Sequence, residues 1–221
     1  MLDRHALSHG RGATTRTERG AIGLLLVSIV LMTIGCHPSS SPAAQGDPGP
    51  HDEARQPTPT VIPRAHSRWS RLHSQLYPYE LDYPDDWQPS IVRDGGQVMD
   101  ALDEPKPGSI RSDVSLRVYA APADPAWSLD AYQDATFKTL QRRSAGRPRE
   151  LSVKARRSLA GADGEILYAR IPDVDHDWDS YIALALAGGR VWWLMFTSHP
   201  DRTASELPAF ERVLDSFQVT E

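Results

Sequence analysis

Four aspartates stand at every second position from Asp173 to Asp179, in the run DVDHDWD, with His176 among them. Alternating carboxylates are hard oxygen donors of the kind that Ca²⁺ takes. Laid on a twelve-residue EF-hand loop starting at Asp173, the run has Trp178 in sixth place, where Gly makes the sharp turn. Twelfth is Leu184, where a bidentate Glu is required. The run therefore reads as a solvated hairpin connection. Asp173, Asp175, Asp177 and Asp179 are the metal candidates, and no cofactor is expected.

Ser198-His199 supplies a hydroxyl and an imidazole side by side. A hydrolase nucleophile would sit in a Gly-x-Ser-x-Gly elbow, and a zinc hydrolase would carry His-Glu-x-x-His; the chain has neither. His199 precedes Pro200 and reads as the end of a strand. Trp192 and Trp193 are neighbours in a strand and point to opposite faces, so both read as core rather than as a binding platform.

Arg142, Arg143, Arg147, Arg149, Lys154, Arg156 and Arg157 form a basic run broken only by Glu150. The whole chain of 221 residues carries a net charge of −5, which argues against a general nucleic-acid binder. Arg142, Arg143, Arg147, Arg149, Arg156 and Arg157 are accordingly the candidate binding patch. Sharing one face, they would suit anionic lipid heads or an acidic partner.

The remaining chemistry belongs to export. Arg4, Arg11, Arg16 and Arg19 precede the apolar run Ala21–Ile34, too short to cross a bilayer comfortably, and residues 1–35 read as a signal peptide. The chain's one cysteine, Cys36, follows Thr33-Ile34-Gly35. That junction looks like a bacterial lipobox, with small Gly35 before the cut and Thr33 where Leu is usual. Cys36 is then the lipidation site, and the exported domain must hold together without disulfides.

Residues 36–68 hold seven prolines and almost no large apolar side chain, so they read as a disordered tether spanning roughly 30 Å as a flexible coil. Residues 69–221 form one domain, enough chain for a self-sufficient core. Tyr79, Leu81 and Tyr83 alternate with acids in a half-buried strand, and strands follow near 97–101 and at 114–120. Ser128 caps a helix from Leu129 to about Arg143, ended by Gly146 and Pro148. Strands at 151–155 and 165–171 come next, with a turn at Gly161–Gly164 between them. Gly188-Gly189 then joins YIALALA to RVWWLMF in a tight hairpin. Its register puts Ala187 opposite Arg190 and Ala185 opposite Trp192, with both faces apolar, which predicts mid-sheet strands. Leu207, Phe210, Val213, Leu214 and Phe217 make the stripe of a covering helix. The expected fold is α+β: an α/β/α sandwich around a largely antiparallel sheet.

Tyr79-Glu80-Leu81-Asp82-Tyr83-Pro84-Asp85-Asp86-Trp87 resembles the first aromatic strand of PsbP-like domains, which runs into Pro-x-x-Trp. Pro208-Ala209-Phe210 with Val213-Leu214-Asp215-Ser216-Phe217 is similar to their closing helix. The likeness spans roughly Tyr77 to Val219, its two ends being the specific parts. It places the chain beside a family that includes the photosystem II PsbP protein, a Ran-binding import factor and many bacterial lipoproteins. It implies an α/β/α sandwich and a non-enzymatic, partner-binding role; no metal motif of the plant proteins can be matched here. The expectation is a monomeric, lipid-anchored binding domain on the extracytoplasmic side of a bacterial envelope, assisting or stabilising a membrane protein complex. The competing reading is a small cell-envelope hydrolase with a site built from loops.

Overall fold

A computed structural model describes residues 62–220, apart from 95, 110–111, 144–147 and 174–175. The signal peptide, Cys36 and the tether as far as residue 61 lie outside the described residues. Five strands come first: β1 (Trp69–His73), β2 (Tyr79–Pro84), β3 (Gln88–Asp94), β4 (Gln97–Asp103) and β5 (Val114–Pro122). Helix α1 (Leu129–Arg143) leads to β6 (Glu150–Leu159), β7 (Ala162–Pro172), β8 (Asp177–Ala187) and β9 (Arg190–Ser198). Helix α2 (Pro200–Ser216) and the short β10 (Gln218–Val219) close the chain.

Seven strands form one sheet in the order β3-β4-β5-β9-β8-β7-β6, and β1-β2-β10 form a second. Every pairing is antiparallel. The fold is thus α+β, as expected, with β9 at the middle of the large sheet. The Gly-Gly hairpin has the expected register, Ala187 opposite Arg190 and Ala185 opposite Trp192. Gly188 and Gly189 both have positive φ, at 57° and 68°, as a primed turn requires.

Period-two alternation splits the core in two. Ala183, Ala185, Trp192, Leu194 and Phe196 face α2 and β2, where Tyr79, Leu81, Phe210, Val213 and Leu214 are buried with them. Ile182, Leu184, Val191, Trp193 and Met195 face α1, against Tyr132 and Leu140. One face of the sandwich is therefore a single helix, and the other is a helix beside a small sheet. Ala185 is fully buried against the Trp192 ring. We expect Ala185→Leu to destabilise the fold by about 1–3 kcal/mol through overpacking, measured by urea denaturation. A neutral substitution would contradict the two-sided burial.

The structure departs from the sequence reading in four places. Strands β1, β3 and β10 are additional. The first is five residues long, the last two, and β3 (QPSIVRD) is an edge strand with little buried on either side, so none carries an apolar alternation. The turn after β6 lies at Ala160-Gly161, both with positive φ, and Gly164 sits inside β7 instead. A Cβ there would lie 2.6 Å from Leu159 Cδ1 and 3.0 Å from the Leu184 carbonyl oxygen, which explains glycine in a strand. Helix α2 begins at Pro200, so His199 is its N-cap rather than only the end of a strand. Finally, contacts with the domain begin before Trp69: the Arg64 amide donates to the Ser205 carbonyl at 3.0 Å.

Candidate functional site

The acidic connection is shorter than its sequence suggests, because β7 continues to Pro172 and β8 starts at Asp177. Its carboxylates are turned to different partners. Asp173 accepts from Trp178 Nε1 at 3.3 Å, and Asp177 pairs with Arg149 at 2.9 Å. Asp175 lies outside the described residues. Asp179 is buried and accepts from Tyr168 Oη (2.7 Å), Arg170 Nε (2.9 Å) and Thr203 Oγ1 (2.8 Å). Burial alone would raise the Asp179 pKa. The three hydrogen bonds, led by that from Arg170, outweigh burial and hold it below the usual carboxylate range. Among the described residues, no group of three or more His, Cys, Asp or Glu side chains is placed to hold a metal ion.

Ser198 and His199 do not work together. Ser198 is fully buried, with its Oγ 2.7 Å from Thr203 Oγ1. The His199 ring faces the start of α2, where Nδ1 accepts from the Asp201 amide at 3.3 Å. The His176 and Trp178 rings also lie beside it, with centroids 4.5 and 6.3 Å away. Ser198, Thr203 and Asp179 therefore form a buried hydrogen-bonded chain that ties β9, α2 and β8 together. Among the described residues the Ser198 hydroxyl is bonded to Thr203 and not to an imidazole.

The basic run is divided as well. Arg142 is exposed in the last turn of α1, Arg143 belongs to the same turn, and Arg147 lies outside the described residues. Arg149 meets Asp177, as above. Arg156 and Arg157 are consecutive on β6 and so point to opposite faces. Arg156 bridges Asp130 of α1 (2.9 Å) and the buried Glu165 (2.7 Å), whereas Arg157 pairs with Glu211 and Asp215 of α2. Each of these three arginines meets at least one carboxylate, and Arg156 and Arg157 do not share a face. A depression of about 500 Å³ lies beside Arg156, lined by Ser128, Leu129, Asp130 and Asp163. Its Ser128 hydroxyl is occupied as a cap, accepting from the Ala131 amide.

The densest charge cluster was not anticipated. Arg64 NH2 meets Asp86 at 2.8 Å, and its NH1 meets Glu206 at 3.2 Å and Glu104. His66 Nδ1 lies 2.9 Å from Asp86 Oδ1, and its Nε2 lies 3.0 Å from Glu206 Oε2. Arg202 closes the cluster on Glu206 (2.7 Å) and Glu104 (3.1 Å). Burial would lower the pKa of both guanidinium groups, but the bonds to Glu104 and Glu206 overcome it and raise them. One signal in the sequence could have found this site. Glu206 sits four residues before Phe210, on the same face of α2 as Thr203 and Val213, and all are buried.

No family model matches the chain, and no curated protein matches it either. Solved structures do. The solution structure of cyanobacterial PsbP from Synechocystis is 20% identical, with a TM-score of 0.52, over 68% of this chain and 92% of that one. The crystal structure of LpqN, described as involved in cell envelope biogenesis of Mycobacterium tuberculosis, is 14% identical with a TM-score of 0.48. That match covers 70% of this chain and 91% of LpqN. The first of these shows that the chain has the fold of PsbP.

Proposed function

We propose that this protein is an exported, lipid-anchored binding domain that does no chemistry of its own and assists or stabilises an envelope or membrane protein complex. The observation that carries this reading is the structural engagement of most of the described groups that resembled a site. Ser198 and Asp179 are buried in a chain of bonds, His199 caps α2, and Arg149, Arg156 and Arg157 are paired. The PsbP-like fold supports it, since the resemblance implies partner binding. The N-terminal pattern ending at Cys36 supports anchoring on the extracytoplasmic side, at the end of a proline-rich tether.

Labelled palmitate is expected to appear on the protein and to be lost in Cys36→Ser. Crosslinked membranes should yield a specific partner with the parent chain and with Ser198→Ala alike. Label retained by Cys36→Ser would refute the anchor. Hydrolysis of an envelope substrate that Ser198→Ala abolishes would refute the non-catalytic role.

A further inference from the structure

We propose that residues 62–68 form a proton-dependent latch: the strap stays on the domain while the His66 imidazolium bridges Asp86 and Glu206, and lets go when His66 is deprotonated. This stands whether or not Cys36 carries lipid.

The strap has no regular secondary structure, and its backbone reaches the domain through two bonds. The Arg64 amide donates to the Ser205 carbonyl at 3.0 Å, and the Arg68 carbonyl accepts from the Asp85 amide at 3.2 Å. Its hold therefore rests on Arg64 and His66. The His66 side chain is 2% exposed, and Glu206 beneath it is 0% exposed. Each ring nitrogen has a carboxylate oxygen at hydrogen-bond distance, 2.9 Å at Asp86 and 3.0 Å at Glu206. An ionised carboxylate only accepts, and a neutral imidazole has one N–H. Both bonds can therefore form only with the doubly protonated ring.

Charge balance gives the same answer independently. The groups that meet around the ring are Asp86 from the β2–β3 turn, Glu104 after β4, Arg202 and Glu206 from α2, and Arg64 from the strap. Its remaining neighbours are the Trp69 and Trp87 rings, edge-on at 6.0 and 6.3 Å and uncharged. Three carboxylates face two guanidinium groups, so the cluster is neutral only when His66 carries a proton. Without that proton, a buried negative charge is left over and one hydrogen bond is replaced by lone pair against lone pair. The latch is thus closed while the ring carries both protons and weakens as rising pH removes one.

Hydrogen exchange on the full chain reads this directly. From about pH 5 to about pH 8, strap protection, corrected for chemical exchange, should fall roughly tenfold to a hundredfold, the size of one charge-assisted hydrogen bond. Protection of β8 and β9 should not change. In His66→Gln, which keeps a donor and an acceptor but cannot be charged, strap protection should be low at both pH values. In Asp86→Asn, which removes the more exposed of the two anions, opening should begin at lower pH. Strap protection that does not respond to pH in the parent would overturn the proposal. So would a response that survives His66→Gln, or an opening pH unmoved by Asp86→Asn. Intact β8–β9 protection in each variant shows that the domain is still folded.

Discussion

Trp192→Ala is expected to cost about 3–5 kcal/mol of stability, the range for removing a large aromatic from a close-packed core. Trp192 is fully buried on the central strand β9, with the Tyr79, Phe217 and Tyr77 rings at 5.6, 5.4 and 6.3 Å. Those rings come from β2, the segment before it and the residue after α2, so one side chain joins both sheets to the end of the closing helix. Its Nε1 also donates to the Ala187 carbonyl at 3.0 Å, within the same hairpin. Alanine would face Ala185, leaving two small residues opposed and no neighbour able to fill the space. For a domain of this size, the melting temperature should fall by roughly 10 °C or more. A loss under about 1 kcal/mol in urea denaturation would mean that the two sheets do not share this core.

Glu206→Ala is expected to be equally severe, at about 3–5 kcal/mol, for an electrostatic reason. Its carboxylate is fully buried and receives Arg64, Arg202 and His66. Removing it takes the central buried acceptor from all three at once and leaves only Glu104 and Asp86, at the rim, to hold them. Exposed pairs elsewhere, such as Lys154 with Glu150, should contribute about 0–1 kcal/mol. The comparison of Glu206→Ala with Glu150→Ala by thermal melting, in low and high salt, separates the two regimes. Equal small effects would show that the cluster is solvated.

The parts legible in the sequence were those fixed by local pattern. Gly188-Gly189 set the register of β8 and β9, and Ser128 set the start of α1. Strand β3 was illegible because an edge strand exposed on both sides has no side-chain period to read. The Arg64–Glu206 contact joins residues 142 apart, and only the completed fold brings them together. The partners of the basic run were illegible for a related reason. Proximity along a strand places neighbours on opposite faces: Arg156 turns to Asp130 of α1 and Arg157 to Glu211 and Asp215 of α2. Ser198 and His199 show that adjacency in sequence says nothing of direction: one side chain turns into the core and the other caps a helix.

The two outer strands of the large sheet have a consequence for how molecules meet. Strand β6 shifts register between Val153 and Ala155, and the Lys154 ammonium folds back over the Tyr168 ring at 4.4 Å. Strand β3, at the other end, carries Pro89, which has no N–H to offer. A straight, uncharged border would invite a second copy to extend the sheet, and then a third, into a growing ribbon. Here one border is bent and carries a cation and the other is interrupted by a proline, features that oppose such edge-to-edge growth.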